Sequence, residues 1–247
     1  PNPGKLTSAG FITTDVIQAS SPMPYTNSMR THWQTFVLSC LLSTTGGLVV
    51  AQTTPSSQPF VLVLGIAQDG GCPQAGCRRQ CCQPAIGATG RRRLVTSLAI
   101  VDPVSHQRWL IDCSPHFPDQ LQLLDMAAPP SADHPLLDGI FLTHAHVGHY
   151  TGLLHLGREV MGTRNIAVYA MPRMAAFLTS QGPWSLLVKL NNIKIKPLQA
   201  SQVIRLGKRI QLTPLLVPHR DEFSETVGFL INGPKRSVVF IPDIDKW

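Results

Sequence analysis

Three histidines fall within six positions of "FLTHAHVGHYTGL", residues 141–153, although the 247-residue chain has only nine. Neutral imidazole is the usual nitrogen ligand for zinc or iron, and three ligands with one open position make a catalytic rather than a closed structural site. The spacing suits that use. His144 and His146 follow the apolar run "LLDGIFLT" at 136–143, and in an extended segment residues i and i+2 turn to one side, where one metal can take both. His149 falls where the loop turns into the next helix, which brings a third imidazole toward the same point. His155 is a lone histidine on that helix and is assigned to packing or solvent. His116, in "CSPHF", stands at the mouth of a strand as an extra ligand, a substrate contact or an ordinary loop histidine.

Short strands and helices must position these groups. "FVLVLG" (60–65), "LVTSLAIV" (94–101), "QRWLID" (107–112), "LLDGIFLT" (136–143), "NIAVYA" (165–170), "IQLTPLLV" (210–217), "TVGFLIN" (226–232) and "SVVFIP" (237–242) are brief, apolar or β-branched, and bounded by Gly, Pro, Asn or Asp. That pattern predicts buried strands. Residues 117–126, 149–161 and 171–180 carry helical spacing, with Pro172 suited to a first helical turn. The class is α/β, or α+β, on a large mixed sheet.

Composition limits the rest. With 43% hydrophobic and 14% charged residues, the chain can bury the core of one ordinary domain and is no disordered polymer. The net charge of +7 sets a field without naming a ligand. Arg78, Arg79, Arg91, Arg92 and Arg93 lie in a span, 70–101, that has no acidic residue. It also lacks aromatic residues that would stack on bases, so a solvated basic loop is expected rather than a nucleic-acid contact. Residues 1–28 are polar and Pro/Ser/Thr-rich, which predicts a disordered or non-native extension. From Met29, a basic start at Arg30, an apolar run 36–51 and a small-residue end predict a signal peptide, 29–51, and hence an exported chain, periplasmic or secreted. The run is too short and interrupted for a membrane span. A linker at 52–59 would lead into the domain, 60–247.

"HAHVGH" resembles the H-x-H-x-D-H signature of the metallo-β-lactamase fold superfamily. "LLVPHRDEFSETVGFLI" is similar to the segment that delivers a further ligand, here His219. "VVFIPDID" is similar to the strand end with the bridging aspartate, here Asp243, and "WLIDCSP" to the strand whose Asp112 supports the metal loop. "VLGIAQDGGCPQAGCRRQCC" (62–82), together with "THAHVGHYTGL" and "VPHRDEFSETVGF", looks most like the branch around the pyrroloquinoline-quinone biosynthesis B proteins and the phosphonate-pathway phosphodiesterases. The resemblance implies an αβ/βα sandwich of mixed sheets flanked by helices. It also implies a C-terminally truncated chain, because that fold continues past Trp247 with one more ligand histidine.

The same likeness implies metal at His144, His146 and His219, with His149 and Asp243 left for a second ion. The motif aspartate is replaced by Gly148, which removes a carboxylate that holds the second ion and orients water; Asp221 or Asp245 could stand in for it, though Asp221 could equally be a loop residue. A zinc on three imidazoles lowers the pKa of its water to ~7, so hydrolysis of a small-molecule ester, lactone or phosphodiester through a metal-bound hydroxide is the first expectation, with Asp243 and Asp221 as catalytic groups. An iron-dependent oxygenase and a non-catalytic metal-binding protein are the alternatives. Relatives with such a Gly/Cys loop hold structural zinc, here through Cys77, Cys81 and Cys82 with Cys72 a possible fourth. A disulfide is the rival reading, although removal of Cys40 with the signal would leave an odd number of cysteines.

Overall fold

The computed structural model describes residues 57–87 and 91–246. The upstream extension, the signal peptide and positions 52–56 of the linker lie outside the described residues.

Among the described residues, ten strands form two sheets. The first has the order β1 (Phe60–Gly65), β2 (Ser97–Asp102), β3 (Gln107–Ile111), β4 (Gly139–Phe141), β5 (Ile166–Ala170), β6 (Ile193–Pro197). β1 to β3 are antiparallel, and β3 to β6 run parallel. Parallel neighbours need crossovers. Here α1 (Phe117–Ala127) links β3 to β4, α2 (Val147–Tyr150) with a following 3-10 stretch links β4 to β5, and α3 (Pro172–Ser180) and α4 (Trp184–Lys189) link β5 to β6. The second sheet is antiparallel, ordered β10 (Ser237–Phe240), β9 (Val227–Asn232), β8 (Ile210–Leu216), β7 (Ile204–Leu206).

Strand alternation explains the two cores. All six residues of β2 are buried, as expected of a central strand covered on both faces. Ala99 and Val101 face the helices, with Leu110, Leu124, Ile140, Leu153 and Leu178. Leu98 and Ile100 face the second sheet, with Trp109, Ile111, Phe141, Leu212, Phe229 and Ile231. Phe141 stacks on Tyr169 at 4.3 Å and meets Phe229 edge-on at 5.9 Å. Full burial of Phe141 and of Phe229 contributes about 1.5–3 kcal/mol each. Across one end, the Asp102 carboxylate of β2 accepts from Arg209 Nε at 2.9 Å, just before β8.

The α/β class and mixed sheet stand, but the strands expected over 94–101 and 136–143 are Ser97–Asp102 and Gly139–Phe141, and other local expectations change. The helix expected over 149–161 is a single α-turn and then 3-10 structure, Thr151–Leu156. Its backbone is drawn onto the 112–114 loop, where Cys113 N–H donates to the His149 carbonyl at 2.8 Å and Gly152 N–H to the Cys113 carbonyl at 2.9 Å. β6, "IKIKP", and the three-residue β7 carry too little apolar signal to be predicted. β6 is an edge, where lysines keep further strands away. The strand expected over 237–242 ends at Phe240, and the chain bends there to bring Asp243 inward. Among the described residues no helix is long and apolar enough to cross a membrane.

Candidate metal centre

Strand ends converge on one place. β3 leads into Asp112, β4 leads into His144 and His146, α2 carries His149, the turn after β8 carries His219, and the bend after β10 carries Asp243. Bonds between loops hold them in register: Val227 N–H donates to the Thr143 carbonyl at 3.1 Å, and Ala145 N–H to Ser224 Oγ at 2.8 Å.

Asp112 anchors the centre. It is wholly buried and sits in the left-handed region, φ 65°, a conformation that aspartate tolerates better than most residues. Its carboxylate accepts from Thr143 N–H and Thr143 Oγ1, both at 2.9 Å, and faces His149 Nδ1 at 2.7 Å. The loop is therefore built around one buried anion.

Each of the four histidines has one ring nitrogen against oxygen. His144 Nδ1 meets Thr143 Oγ1 at 3.0 Å, His146 Nε2 meets Glu222 Oε2 at 2.9 Å, His219 Nδ1 meets Asp245 Oδ1 at 2.8 Å, and His149 Nδ1 meets Asp112. Assigning those nitrogens as donors leaves a lone pair on each opposite nitrogen. The opposite nitrogens face one another: His144 Nε2 lies 2.9 Å and His219 Nε2 3.2 Å from His146 Nδ1. Asp243 Oδ2 is 3.3 Å from His144 Nε2 and 3.2 Å from His149 Nε2. Converging lone pairs repel one another unless a cation lies between them. His144, His146, His219 and Asp243 form one such group; Asp69, His149 and Asp243 form another that shares the aspartate. Both fit an N/O-binding metal ion, with the oxygen partners orienting the ligand rings.

Charge follows the same geometry. Burial pushes His144 below its ordinary value, against a pull upward from Asp243. Burial would lower His149 too, but the Asp112 charge, followed by Asp243 and Asp69, raises it to about 11 in the metal-free site. The His144 and His149 imidazoles hold Asp243 well below the usual carboxylate range, and His149 lowers Asp69. In the absence of metal, a proton on His149 is thus the counter-charge for three carboxylates.

Of the remaining expected residues, Asp245 orients His219 rather than reaching the shared ligand group. Asp221 accepts from Thr226 Oγ1 at 2.9 Å and belongs to neither group. His116 Nδ1 accepts from Val95 N–H at 3.2 Å, and burial lowers it. Its ring lies beneath the loop after β1, and it is in none of the ligand groups among the described residues. His155 packs beside Phe117. Asp69 and Glu222 were not anticipated. The signal for Asp69 was legible, since a motif lacking its aspartate calls for a carboxylate at another strand end, and "AQDGG" follows β1.

The cysteines form a separate group. The sulfurs of Cys77, Cys81 and Cys82 cluster together, Cys81 Sγ lies 3.9 Å from Cys82 Sγ, and Cys72 Sγ approaches the Cys81 carbonyl at 3.6 Å. None of the described cysteines is in a disulfide. Gln74 N–H donates to Cys82 Sγ at 3.4 Å and lowers that thiol, while its contact with Cys82 raises Cys81. A cleft of about 520 Å³ opens beside the histidine centre between Gln68–Gly70 on one wall and His219, Arg220 and Asp243 on the other.

The profile of the Beta-lactamase superfamily domain matches residues 107–247, more than half of the chain. The chain belongs to the beta-lactamase superfamily. Within it, this chain is similar to the Coenzyme PQQ synthesis protein B of Methylorubrum extorquens, 25% identical over 197 residues, 74% of this chain and 64% of that protein. The protein of the same name from Xanthomonas axonopodis pv. citri (strain 306) is 26% identical over 198 residues, with the same coverage. The chain therefore spans 64% of the length of these curated relatives. Among solved structures, Zn(2+)-bound PqqB from Methylobacterium extorquens shares the fold with a TM-score of 0.65 and 24% identity, over 76% of this chain and 66% of that one. A diphosphatase of the PhnP family follows with a TM-score of 0.53 and 21% identity, over 71% and 62%. This superfamily member is thus PqqB-like, as "HAHVGH" and the Gly/Cys loop suggested.

Proposed function

We propose that the chain is a metal-dependent hydrolase that acts on a small-molecule ester, lactone or phosphodiester, with zinc as its ion. The observation that carries this reading is the set of inward nitrogens on His144, His146 and His219, each fixed from behind by an oxygen and all facing one point with Asp243. A zinc ion held there would supply a Lewis acid and a hydroxide at neutral pH. The chain's own part is orientation and charge. Thr143, Glu222 and Asp245 lock the three rings, Asp243 Oδ2 stands between the two ligand groups where it can hold a water proton, and Asp112 keeps His149 in its tautomer. Arg220 lines the cleft and offers its charge to an anionic substrate, which favours the phosphodiester within this set. The zinc bound to the M. extorquens relative and the diphosphatase activity of the PhnP-family relative support the choice of metal and of reaction class.

An iron-dependent oxygenase is the second reading, because imidazoles mixed with carboxylates also suit iron. Elemental analysis of the purified full chain beside His144→Ala, with bis(p-nitrophenyl) phosphate and a lactone panel as substrates, tests both. Zinc that is lost in the variant together with diester hydrolysis supports the proposal. Iron in its place moves the oxygenase ahead. Metal content unchanged by His144→Ala overturns the site.

A further inference from the structure

The motif position that should carry a carboxylate is Gly148, and the space beside it is filled. A Cβ added to Gly148 would lie 2.2 Å from Asp69 Oδ1 and 2.8 Å from the Asp69 Cα. No side chain fits there while Asp69 occupies the place. Asp69 comes from the loop after β1, on a part of the chain remote in sequence from the histidine motif. It reaches the centre because two isolated bridges, Ala67↔Val95 and Cys72↔Arg93, clamp the loop on either side of it. Gly71, at φ +69°, lets the turn close over His116, whose Cε1 would be 2.6 Å from a Cβ at that position.

A second observation points to a ligand. His149 is 1% exposed, and its Nε2 is a buried nitrogen with no hydrogen-bond partner among the described residues. Asp112 occupies the other ring nitrogen at 2.7 Å. The orphaned Nε2 points between two carboxylates, with Asp243 Oδ2 at 3.2 Å and Asp69 Oδ1 at 3.3 Å. A buried nitrogen aimed between two carboxylates is a place for a cation, either a proton on the ring or a metal ion shared with both oxygens.

We propose that Asp69 replaces the carboxylate missing at position 148, and that Asp69, His149 and Asp243 form a second cation site beside the first. The proposal deepens the hydrolase reading and rests on it for the first ion. The exchange is between loops: the acidic ligand has moved from the histidine helix to the loop that also carries the cysteines. The two ions then share Asp243, and placement of the second depends on the conformation of residues 67–72.

Cobalt titration of the metal-depleted full chain separates the sites, because sulfur-to-cobalt charge-transfer bands report the cysteine group while weaker d–d bands report the N/O sites. Asp69→Asn preserves shape and removes charge. The expected result is loss of at least about tenfold in affinity for the second N/O-bound cobalt, with the first N/O site and the sulfur bands unchanged. Asp69→Glu, which keeps a carboxylate on the same loop, should retain part of that binding and guards against a merely misfolded single variant. Retention of the second cobalt in Asp69→Asn overturns the proposal. So does a wild-type chain that takes up only one N/O-bound cobalt, an outcome that leaves the hydrolase reading intact. Failure of the wild type to bind any N/O cobalt overturns the reading beneath it as well.

Discussion

The histidine centre and the cysteine loop both gather ligand atoms, but the fold holds them by different means. At the histidine centre every ring has an oxygen behind it, and those oxygens come from separate elements: Thr143 next to β4, Glu222 and Asp245 from the second sheet's loops, and Asp112 at the end of β3. Remove the metal, and the rings still have partners that fix them. The cysteine group draws all its sulfurs from one stretch, 72–82, and has one backbone donor, Gln74, on Cys82. The Cys72–Arg93 bridge and turn bonds such as Cys77 N–H to the Gln74 carbonyl hold its backbone, but its sulfurs have few partners besides one another. The first site is preorganised by the fold, and the second should be ordered by its ligand, as expected where ligands sit on a loop rather than on rigid elements.

The sharpest way to break this contrast is at Asp112. Asparagine tolerates the left-handed backbone there and keeps most of the shape, so Asp112→Asn isolates the charge. A neutral amide there takes from a buried, protonated His149 the nearest and most deeply buried of its three carboxylates. Unfolding of the metal-free variant in urea should show a loss of roughly 3–5 kcal/mol, together with weaker metal binding at the histidines by about 10- to 100-fold. A loss under about 1 kcal/mol would mean that the centre is not built on that anion.

A smaller effect follows from the proton that takes the metal's place. His149 is raised from an ordinary value of 6.5 to about 11 in the metal-free chain. The folded state then holds a proton that the unfolded state releases. The stabilisation is complete below the unfolded value and is lost as pH rises through the folded one. Between these limits, stability of the metal-free protein should fall with a slope of up to about 1.4 kcal/mol per pH unit. In the metal-loaded protein a cation substitutes for the proton, and the slope should largely vanish. Urea midpoints of the two forms between about pH 7 and pH 9 compare them; parallel curves would show that His149 is not the group exchanged.

His144, His146 and His149 were legible from their spacing just past an apolar run, whereas Asp112, His219 and Asp243 were legible only through the resemblance of their segments to those of the superfamily. The central strand within "LVTSLAIV" was readable because its "LAIV" is an unbroken apolar run. Asp69 was harder. Its role arises from a contact across the fold, and the clues were an absence at Gly148 and an acidic residue in the loop after β1, with nothing in the spacing to join them. Glu222 and Asp245 carry no pattern either, since a carboxylate behind a ligand ring needs no fixed sequence offset. The short helix at 147–150 was overextended because its apolar spacing continues into 151–156, where the backbone bonds to the 112–114 loop instead of to itself.

The smallest expected effect concerns the cysteines and tests whether the two regions are independent. Cys77 and Cys81 are partly or fully exposed, and the loop around them contributes little to either core. Replacing both by alanine should leave the unfolding free energy of the metal-free chain within about 0.5 kcal/mol of the parent, abolish the sulfur bands of a cobalt titration, and spare the site at His144, His146 and His219. The second N/O site has a different dependence, because Asp69 stands three residues before Cys72 in the same clamped turn. Its affinity should fall, by less than in Asp69→Asn, since the bridges at Ala67 and Cys72 remain. An unchanged second site would show that the bridges alone aim Asp69. A loss as large as that of Asp69→Asn would show that the order of the cysteine loop sets the position of the carboxylate, and the two metal-binding regions would then act as one.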